Sequence, residues 1–338
     1  MKIIWFSEIK WSYLKTRKQH ILSHFDNTDD ILFIEPVSFN LKNKFNISIE
    51  KNIKYLTIPQ LQNSDIYLIN CIINLSIFRW FIKKVSKHLM KRILTKINHN
   101  PNIIITSNVF WINYIKEFRD KKNIKVIYDC NDNPMAFPNS NNKIIYFKKT
   151  LKYSDKIIVP FKSYINFIPK KYHSKIEIIS NGVDSNLILS NKGKKDSISS
   201  NFKNILKNNN QSIVMYAGSI DTRLDYDLIE KIVSELINIK FIFIGDIKRQ
   251  INNKFIKIKN KKNFFHIKSV NYNQIGNYLS YANVCIIPFK SNELSKFILP
   301  NKIFEYSIIE KPFVLTNFNP ELKDIYPDFL IANSQIEF

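Results

Sequence analysis

The sequence contains very little glycine and cysteine. Only five of its 338 residues are glycine, and no G-x-G-x-x-G spacing occurs among them, which excludes the dinucleotide-binding fingerprint. The three cysteines (Cys71, Cys130, Cys285) lie far apart without the paired spacing of zinc ligands. The sequence therefore predicts no disulfide framework and no cysteine-bound metal, as is typical of a reducing compartment.

Long hydrophobic runs are also absent. The nearest candidate, residues 66–82, is interrupted by Asn70, Asn74, Ser76 and Arg79, so a transmembrane helix is not predicted there. The amino-terminal apolar run is short and is soon followed by Glu8. We therefore expect it to form a first strand rather than a signal peptide.

Positive charge is abundant. The formal net charge is +23, and 30 basic but only 14 acidic residues lie in residues 1–184. Nucleic acid, an anionic membrane surface or a phosphorylated substrate would each suit such a chain. Part of the excess has a second explanation, since Asn, Ile and Lys are frequent throughout, as in proteins from AT-rich genomes.

A basic amphipathic helix is predicted over Ile77–Ile97. It is expected either to lie on an anionic bilayer or to cover the sheet with its charged face in water. The predicted apolar stripe comprises Phe78, Phe81, Ile82, Val85, Leu89, Ile93 and Ile97, and the membrane- or acceptor-side residues off this stripe are Lys83, Lys84, Lys87, Lys91 and Arg92.

Ten short runs rich in β-branched and aromatic residues alternate with helical periodicity. This alternation predicts βαβ units with parallel sheets, and ten strands exceed one ordinary sheet. We predict an α/β protein with two Rossmann-like, doubly wound parallel-sheet domains facing a cleft. The expected boundaries are 1–184 for the first domain, 185–211 for an Asn-, Lys- and Ser-rich linker, and 212–338 for the second domain.

Two glycines directly follow predicted strands of the second half. Gly218 ends "VMYAG" and Gly245 ends "FIFIG", where the backbone turns sharply or a ligand approaches closely. Gly218 and Ser219 lead into a helix with Arg223 nearby, and a helix amino terminus beside arginine suits a phosphate. By itself, Arg223 is more simply explained as ordinary surface charge.

A second candidate element is "LPNKIFEY", which follows the strand "VCIIPF". Pro300 is suited to the start of a helix and places Asn301, Lys302 and Glu305 near its amino terminus. Glu305 is explained either by the helix dipole or by a carboxylate that accepts two hydrogen bonds from a ribose diol. Lys302 beside it is placed to meet a phosphate.

These segments, in this order, resemble glycosyltransferases of the GT-B fold. The resemblance is to the family 4-like group and its bacterial surface-polysaccharide branch. It spans almost the whole chain, and "NGVD" and "PNKIFEY…KPFV" are its most specific motifs. It implies a first domain for the acceptor, a second domain for a nucleotide-sugar donor, and transfer with retention of anomeric configuration without a metal or other cofactor.

The resemblance also implies roles for individual residues. Glu305 matches the glutamate that binds the donor ribose, and Arg223 matches a basic residue on the diphosphate. Lys302 lies near that site, and Gly218 with Ser219 matches the turn over the phosphates. The loop "DCNDN" matches the first-domain segment that faces the transferred sugar, so Asn131 and Asp132 are the catalytic candidates.

Several positions depart from the family pattern. Phe297 stands where many members have a second glutamate eight residues before Glu305, and the first-domain loop lacks the histidine that many members carry. The closing helices of the second domain are expected to be missing. A divergent enzyme, a truncated chain and a degenerate inactive copy all fit these departures.

Two other functions remain as alternatives. A nucleotide-sugar epimerase of the same fold would need an acid and base set across the cleft, which this histidine-poor sequence does not offer. A nucleic-acid-binding protein would need aromatic and basic side chains interleaved on an exposed face. We expect a nucleotide-sugar donor, a glycan or lipid-linked acceptor and no nucleic acid. The expected location is the cytoplasm, including the inner face of the cytoplasmic membrane.

Overall fold

The structure, a computed structural model, divides into two compact units. Unit 1 is Met1–Ser180 and unit 2 is Asn181–Phe338. The boundary falls a few residues before the predicted domain end at Asp184. The structure describes residues 1–12, 15–37, 42–60, 75–121, 124–131, 141–190, 193, 198–207, 211–248, 253–293 and 295–338.

Unit 1 is built on an eight-stranded sheet with the order β3-β4-β2-β1-β5-β6-β7-β8. All neighbouring strands are parallel except β3 and β4. The strands are β1 (Lys2–Phe6), β2 (Asp30–Pro36), β3 (Ser48–Glu50), β4 (Ile53–Ile58), β5 (Ile103–Thr106), β6 (Lys125–Asp129), β7 (Lys156–Val159) and β8 (Ile176–Ile178).

Helices cover both faces of this sheet. Because side chains alternate along a strand, Ile4 and Phe6 point to one face, and Ile3 and Trp5 point to the other. The Ile4 face carries three helices, and the Trp5 face carries the short first helix. The helices of unit 1 are α1 (Arg17–Leu22), α2 (Ser76–Lys96), α3 (Ile112–Lys121) and α4 (Asn141–Tyr153).

Unit 2 has a six-stranded sheet with the order β11-β10-β9-β12-β13-β14, and all its pairs are parallel. Its strands are β9 (Ile213–Ala217), β10 (Lys240–Ile244), β11 (Phe264–Ile267), β12 (Val284–Ile287), β13 (Phe313–Thr316) and β14 (Leu330–Ala332). Its helices are α5 (Ser185–Leu189), α6 (Ser200–Leu206), α7 (Tyr226–Glu235), α8 (Asn253–Lys259), α9 (Ile275–Leu279), α10 (Lys302–Ile308) and α11 (Glu321–Ile325).

The segment predicted as a linker contains helices α5 and α6, and both belong to unit 2. Their apolar residues Ile188 and Phe202 are fully buried, and the Phe202 ring lies 4.7 Å from that of Tyr278. A Cβ atom on Gly276 would lie 2.1 Å from the Ile188 carbonyl oxygen. Glycine is therefore needed in α9 because α5 packs directly on its backbone.

The predicted α/β class with two parallel-sheet domains is confirmed, and each of the ten predicted runs forms a strand. Strands β3, β4, β8 and β14 were not predicted. Three of them are only three residues long, and β3 and β8 lie at sheet edges with exposed side chains. Short exposed strands lack the buried β-branched run from which the others were predicted.

Candidate active site

The candidate site of unit 2 lies where β9 and β10 end. Gly218 follows β9 with a φ of +145°, and Gly245 follows β10 with a φ of +150°. A Cβ atom on Gly245 would lie 2.0 Å from the Gly218 carbonyl oxygen. The two turns therefore pack backbone against backbone. Both positions need glycine for conformation, and Gly245 also needs it for space.

Lys302 crosses the Gly218 turn. A Cβ atom on Gly218 would lie 2.4 Å from both Cε and Nζ of Lys302. The Lys302 ammonium also lies 5.2 Å from the ring centroid of Tyr216 and 5.7 Å from that of Phe289. Burial lowers the pKa of Lys302 to about 8, and the positive charge of Arg223 acts in the same direction. The site thus holds a partly desolvated cation beside a half-buried turn of the main chain.

Replacing Gly218 with alanine is expected to disrupt this arrangement. The methyl group would overlap the Lys302 side chain and would force a non-glycine residue into a φ that costs about 1–3 kcal/mol. We expect lower thermal stability together with weaker nucleotide binding. Gly182→Ala is the matched control, because its Cβ atom would meet no heavy atom within 4 Å. Equal melting temperatures and affinities for the two variants would contradict the prediction.

Glu305 is buried in the first turn of α10, with 7% of its surface exposed. The helix begins at Lys302 with Asn301 as its N-cap residue, so Pro300 lies before the N-cap and not in the first turn. Burial raises the pKa of Glu305, while the charge of Lys302 and a hydrogen bond from the Tyr272 hydroxyl oppose the rise. A buried carboxylate held this way can accept hydrogen bonds from a ligand hydroxyl pair.

Arg223 forms a two-point ion pair with Asp221. The Nε–Oδ1 distance is 2.9 Å and the Nη2–Oδ2 distance is 2.6 Å. Burial alone would raise the pKa of Asp221, but the hydrogen bonds and charge of Arg223 hold this pKa below its usual value. The Arg223 guanidinium also lies 5.5 Å from the centroid of the Phe289 ring, the ring that Lys302 also approaches.

The donor-site candidates therefore share one region, with aromatic residues supporting them. The Tyr216 hydroxyl donates to the Ser219 carbonyl oxygen at 2.9 Å, and the Ala217 amide donates to the Tyr306 hydroxyl at 3.1 Å. Asn301 is half-buried, and its carbonyl oxygen accepts the Glu305 amide at 3.0 Å. Sequence reasoning missed Asp221, Tyr272 and Tyr216. Asp221 could have been found from its position two residues before Arg223.

Unit 1 has a buried polar cluster at the carboxyl edge of its own sheet. Arg17 Nε lies 3.0 Å from Asp129 Oδ1, and Arg17 Nη1 donates to the Ser180 carbonyl oxygen at 2.6 Å. Lys10 Nζ lies 2.9 Å from Glu35 Oε1, and Lys18 pairs with Glu8. Sequence reasoning missed this network, although Glu35 and Asp129 occur at or near the ends of predicted strands.

The catalytic candidates of unit 1 are only partly visible. Asp132 lies outside the described residues. Asn131 follows β6, and its carbonyl oxygen accepts a hydrogen bond from the Tyr164 hydroxyl at 3.0 Å. Its side-chain Oδ1 atom is buried and has no hydrogen-bond partner within the described part of the chain. An unsatisfied buried acceptor of this kind is suited to a hydroxyl donor of a ligand.

The five basic residues predicted for the membrane or acceptor side are all exposed on α2. Lys87 pairs with Glu117 of α3 at 2.8 Å. The predicted apolar stripe is wrong at Phe81, which is 55% exposed, because the buried line of α2 runs through Ser86, Met90 and Leu94. Leu89, Ile93 and Ile97 pack partly against the core as predicted.

None of the helices in the described ranges is long and apolar enough to cross a membrane. No group of three or more His, Cys, Asp or Glu side chains with metal-binding geometry occurs in that same part of the chain.

The chain resembles a curated protein over part of its length. The chain is 21% identical over 206 residues to TuaH of Bacillus subtilis (strain 168), named as a candidate glycosyltransferase of teichuronic acid biosynthesis. The match covers 57% of this chain and half of the length of TuaH. No protein-family model matches the chain, so the predicted membership of family 4 stays a prediction.

Solved structures resemble the chain over nearly its whole length. One is the trehalose-6-phosphate enzyme of E. coli bound with UDP-2-fluoro glucose (TM-score 0.66, 11% identity, 99% of this chain and 89% of that one). A second is Alr3699/HepE of Anabaena with UDP and glucose (TM-score 0.68, 11% identity, 100% of this chain and 88% of that one). A third is sucrose-phosphate synthase of Thermosynechococcus elongatus (TM-score 0.66, 11% identity, 100% of this chain and 88% of that one). The chain therefore has the fold of the GT-B glycosyltransferases, as its sequence predicts.

Proposed function

We propose that the chain is a glycosyltransferase that uses a nucleotide-sugar donor. The observation that carries this proposal is the cluster at the β9 turn, where Lys302 lies against Gly218 and Glu305 is buried one helical turn away. In this site Lys302 and Arg223 bind the diphosphate and stabilise the charge that develops on the leaving group. Glu305 accepts the two ribose hydroxyls.

The finer features of the reaction belong to the same proposal. Transfer of a hexosyl group proceeds with retention, and the acceptor hydroxyl approaches from the side of the leaving diphosphate. Asn131 and Asp132 remain the catalytic candidates that the sequence resemblance implies. The sequence relationship to TuaH favours a glycan or lipid-linked acceptor in cell-surface polysaccharide synthesis. The proposed location is the cytoplasm, at the inner face of the membrane.

Nucleotide binding tests the donor site directly. We expect one nucleoside diphosphate and its sugar conjugate to raise the melting temperature, because a ligand that binds only the native state stabilises it by RT ln(1 + [L]/Kd). UDP is the first candidate, since UDP occupies the similar structures. The shift should be lost in Glu305→Gln and kept in Glu310→Gln, an exposed glutamate after the same helix. No shift with any nucleotide would overturn the proposal.

The charge of Lys302 and Arg223 makes a metal unnecessary for the proposed reaction. We therefore expect the rate of sugar transfer to be the same in excess EDTA and in millimolar magnesium. The measurement is release of nucleoside diphosphate with a glycan acceptor under both conditions. A rate that falls more than tenfold in EDTA and returns with added magnesium would show that lysine and arginine alone do not stabilise the leaving group.

A further inference from the structure

Helix α2 begins with large apolar side chains on its outer surface. Ile77 is 76% exposed, and Leu75, Trp80 and Phe81 are each 55% exposed. A helix that only covers a sheet turns such residues inward, as α2 does later with Met90 and Leu94. The first two turns therefore carry apolar surface that contributes little to the core of unit 1.

Basic side chains continue the same face of the helix. Residues three and four apart are neighbours on a helix surface, so the line that starts at Ile77 runs through Phe81 and Lys84 to Lys91. The Lys84 ammonium lies 3.9 Å from the centroid of the Trp80 ring. The sequence of α2 contains seven basic residues and no acidic one. Apolar and cationic groups are thus adjacent on one exposed strip.

A second helix adds charge on the same side of the sheet. Helices α2 and α4 both pack on the core cluster that contains Ile4 and Phe6. Helix α4 also lacks acidic residues, and its exposed side chains include Ile145, Lys148, Lys149 and Lys152. This face of the sheet therefore presents two helices without acidic residues, together with α3, whose Glu117 pairs with Lys87 of α2.

We propose that this face docks unit 1 on an anionic lipid bilayer. Leu75, Ile77, Trp80 and Phe81 enter the boundary between headgroups and acyl chains, where tryptophan is favoured. The lysines of α2 and α4 contact lipid phosphates. This proposal rests on the proposed function for the membrane location of the acceptor. The observations that support the docking surface itself come from unit 1 alone.

A bilayer fits this face better than a nucleic acid does. Single-stranded nucleic acids bind in grooves that follow the backbone, with bases stacked on aromatic rings. Here the surface is a convex helix, and two of its four apolar side chains (Leu75 and Ile77) are aliphatic and have no ring face for stacking. Aliphatic and aromatic side chains followed by lysines are instead typical of interfacial helices.

Vesicle flotation tests the docking surface with the full chain. We expect binding to vesicles of 70% phosphatidylcholine and 30% phosphatidylglycerol, and much weaker binding to pure phosphatidylcholine. Each lysine removed from the surface should weaken binding about fivefold at low salt. The triple variant Ile77→Ser, Trp80→Ser and Phe81→Ser should lose binding by at least tenfold. Brominated acyl chains should quench wild-type tryptophan fluorescence more strongly than that of Trp80→Phe.

Matched controls come from exposed residues of unit 2, in helix α8 and just after helix α7. Ile237→Ser with Ile256→Ser removes two exposed apolar side chains, and Lys257→Gln with Lys259→Gln removes two exposed lysines of α8. These variants should bind vesicles like the wild type. Equal binding by wild type and the triple variant would overturn the proposal, as would binding of a single-stranded oligonucleotide, lost in the triple variant, without vesicle binding. A nucleotide-induced thermal shift in the triple variant separates this failure from failure of the donor site.

Discussion

Lys302→Met is expected to lower kcat/KM for sugar transfer about 10²- to 10³-fold. Removing a single preorganised group that stabilises developing negative charge typically has an effect of this size. Lys302 is placed for this role because it lies across the Gly218 turn, where burial lowers its pKa to about 8. Lys323→Met, an exposed lysine of α11 in the same unit, should leave the rate unchanged.

The lowered pKa of Lys302 adds a pH dependence to the same prediction. Because this pKa is about 8 in the free protein, the ammonium is mostly charged at pH 7 and mostly neutral at pH 9. A diphosphate binds the charged form, so its affinity should fall about tenfold between these two pH values. In Lys302→Arg the side chain stays charged, and the dependence should disappear. A wild-type affinity that is constant from pH 7 to 9 would contradict the assignment.

Arg17→Met is expected to destabilise unit 1 by about 3–5 kcal/mol. The variant leaves Asp129 buried without its ion-pair partner, and an uncompensated buried charge costs about this much. Lys54→Met is the matched control. Its partner Asp30 lies at 2.7 Å and both side chains are about one-third exposed, so the expected cost is at most about 1 kcal/mol.

Urea unfolding followed by tryptophan fluorescence measures this effect in unit 1 alone, because all four tryptophans of the chain (Trp5, Trp11, Trp80 and Trp111) lie there. Burial raises the pKa of Asp129, and loss of Arg17 should raise it further. The difference in the free energy of unfolding between wild type and Arg17→Met should therefore become smaller as the pH is lowered and Asp129 takes up a proton. Asp129→Asn added to Arg17→Met should recover part of the stability at neutral pH. Equal losses of unfolding free energy in Arg17→Met and Lys54→Met would show that the buried ion pair stabilises unit 1 no more than the exposed one.

The strands were predictable from sequence because central parallel strands are buried on both faces and form continuous apolar runs. Runs such as "KFIFI" and "VCII" depend only on local composition. The candidate residues Gly218, Arg223 and Glu305 could also be chosen locally, from strand ends and a helix start. The contact between Gly218 and Lys302 could not, because 84 positions separate them and only the assembled sheet brings them together.

The burial of helix α1, in contrast, could not be predicted from the sequence. Four consecutive polar residues, Arg17–His20, are all buried there, which no apolar stripe could indicate. The burial of Arg17 and Lys18 depends on carboxylates from other parts of unit 1, Asp129 and Glu8 respectively, and that pairing is a property of the fold. Phe81 was misplaced for a related reason, since its helical position suits a core stripe and only the packing of α2 on the sheet turns it outward.

The ion pair between Arg223 and Asp221 has a consequence for how a diphosphate is bound and released. In the free protein, the Asp221 carboxylate already accepts hydrogen bonds from Nε and Nη2 of Arg223, which form one edge of the guanidinium. A diphosphate that binds as proposed must exchange one anionic partner for another, so Arg223 contributes only the difference between two ion pairs to the affinity. After transfer, the same carboxylate is in place to take the arginine back. Release of the nucleotide product is therefore expected to be faster, because Arg223 exchanges the diphosphate for the Asp221 carboxylate and is not left without an anionic partner.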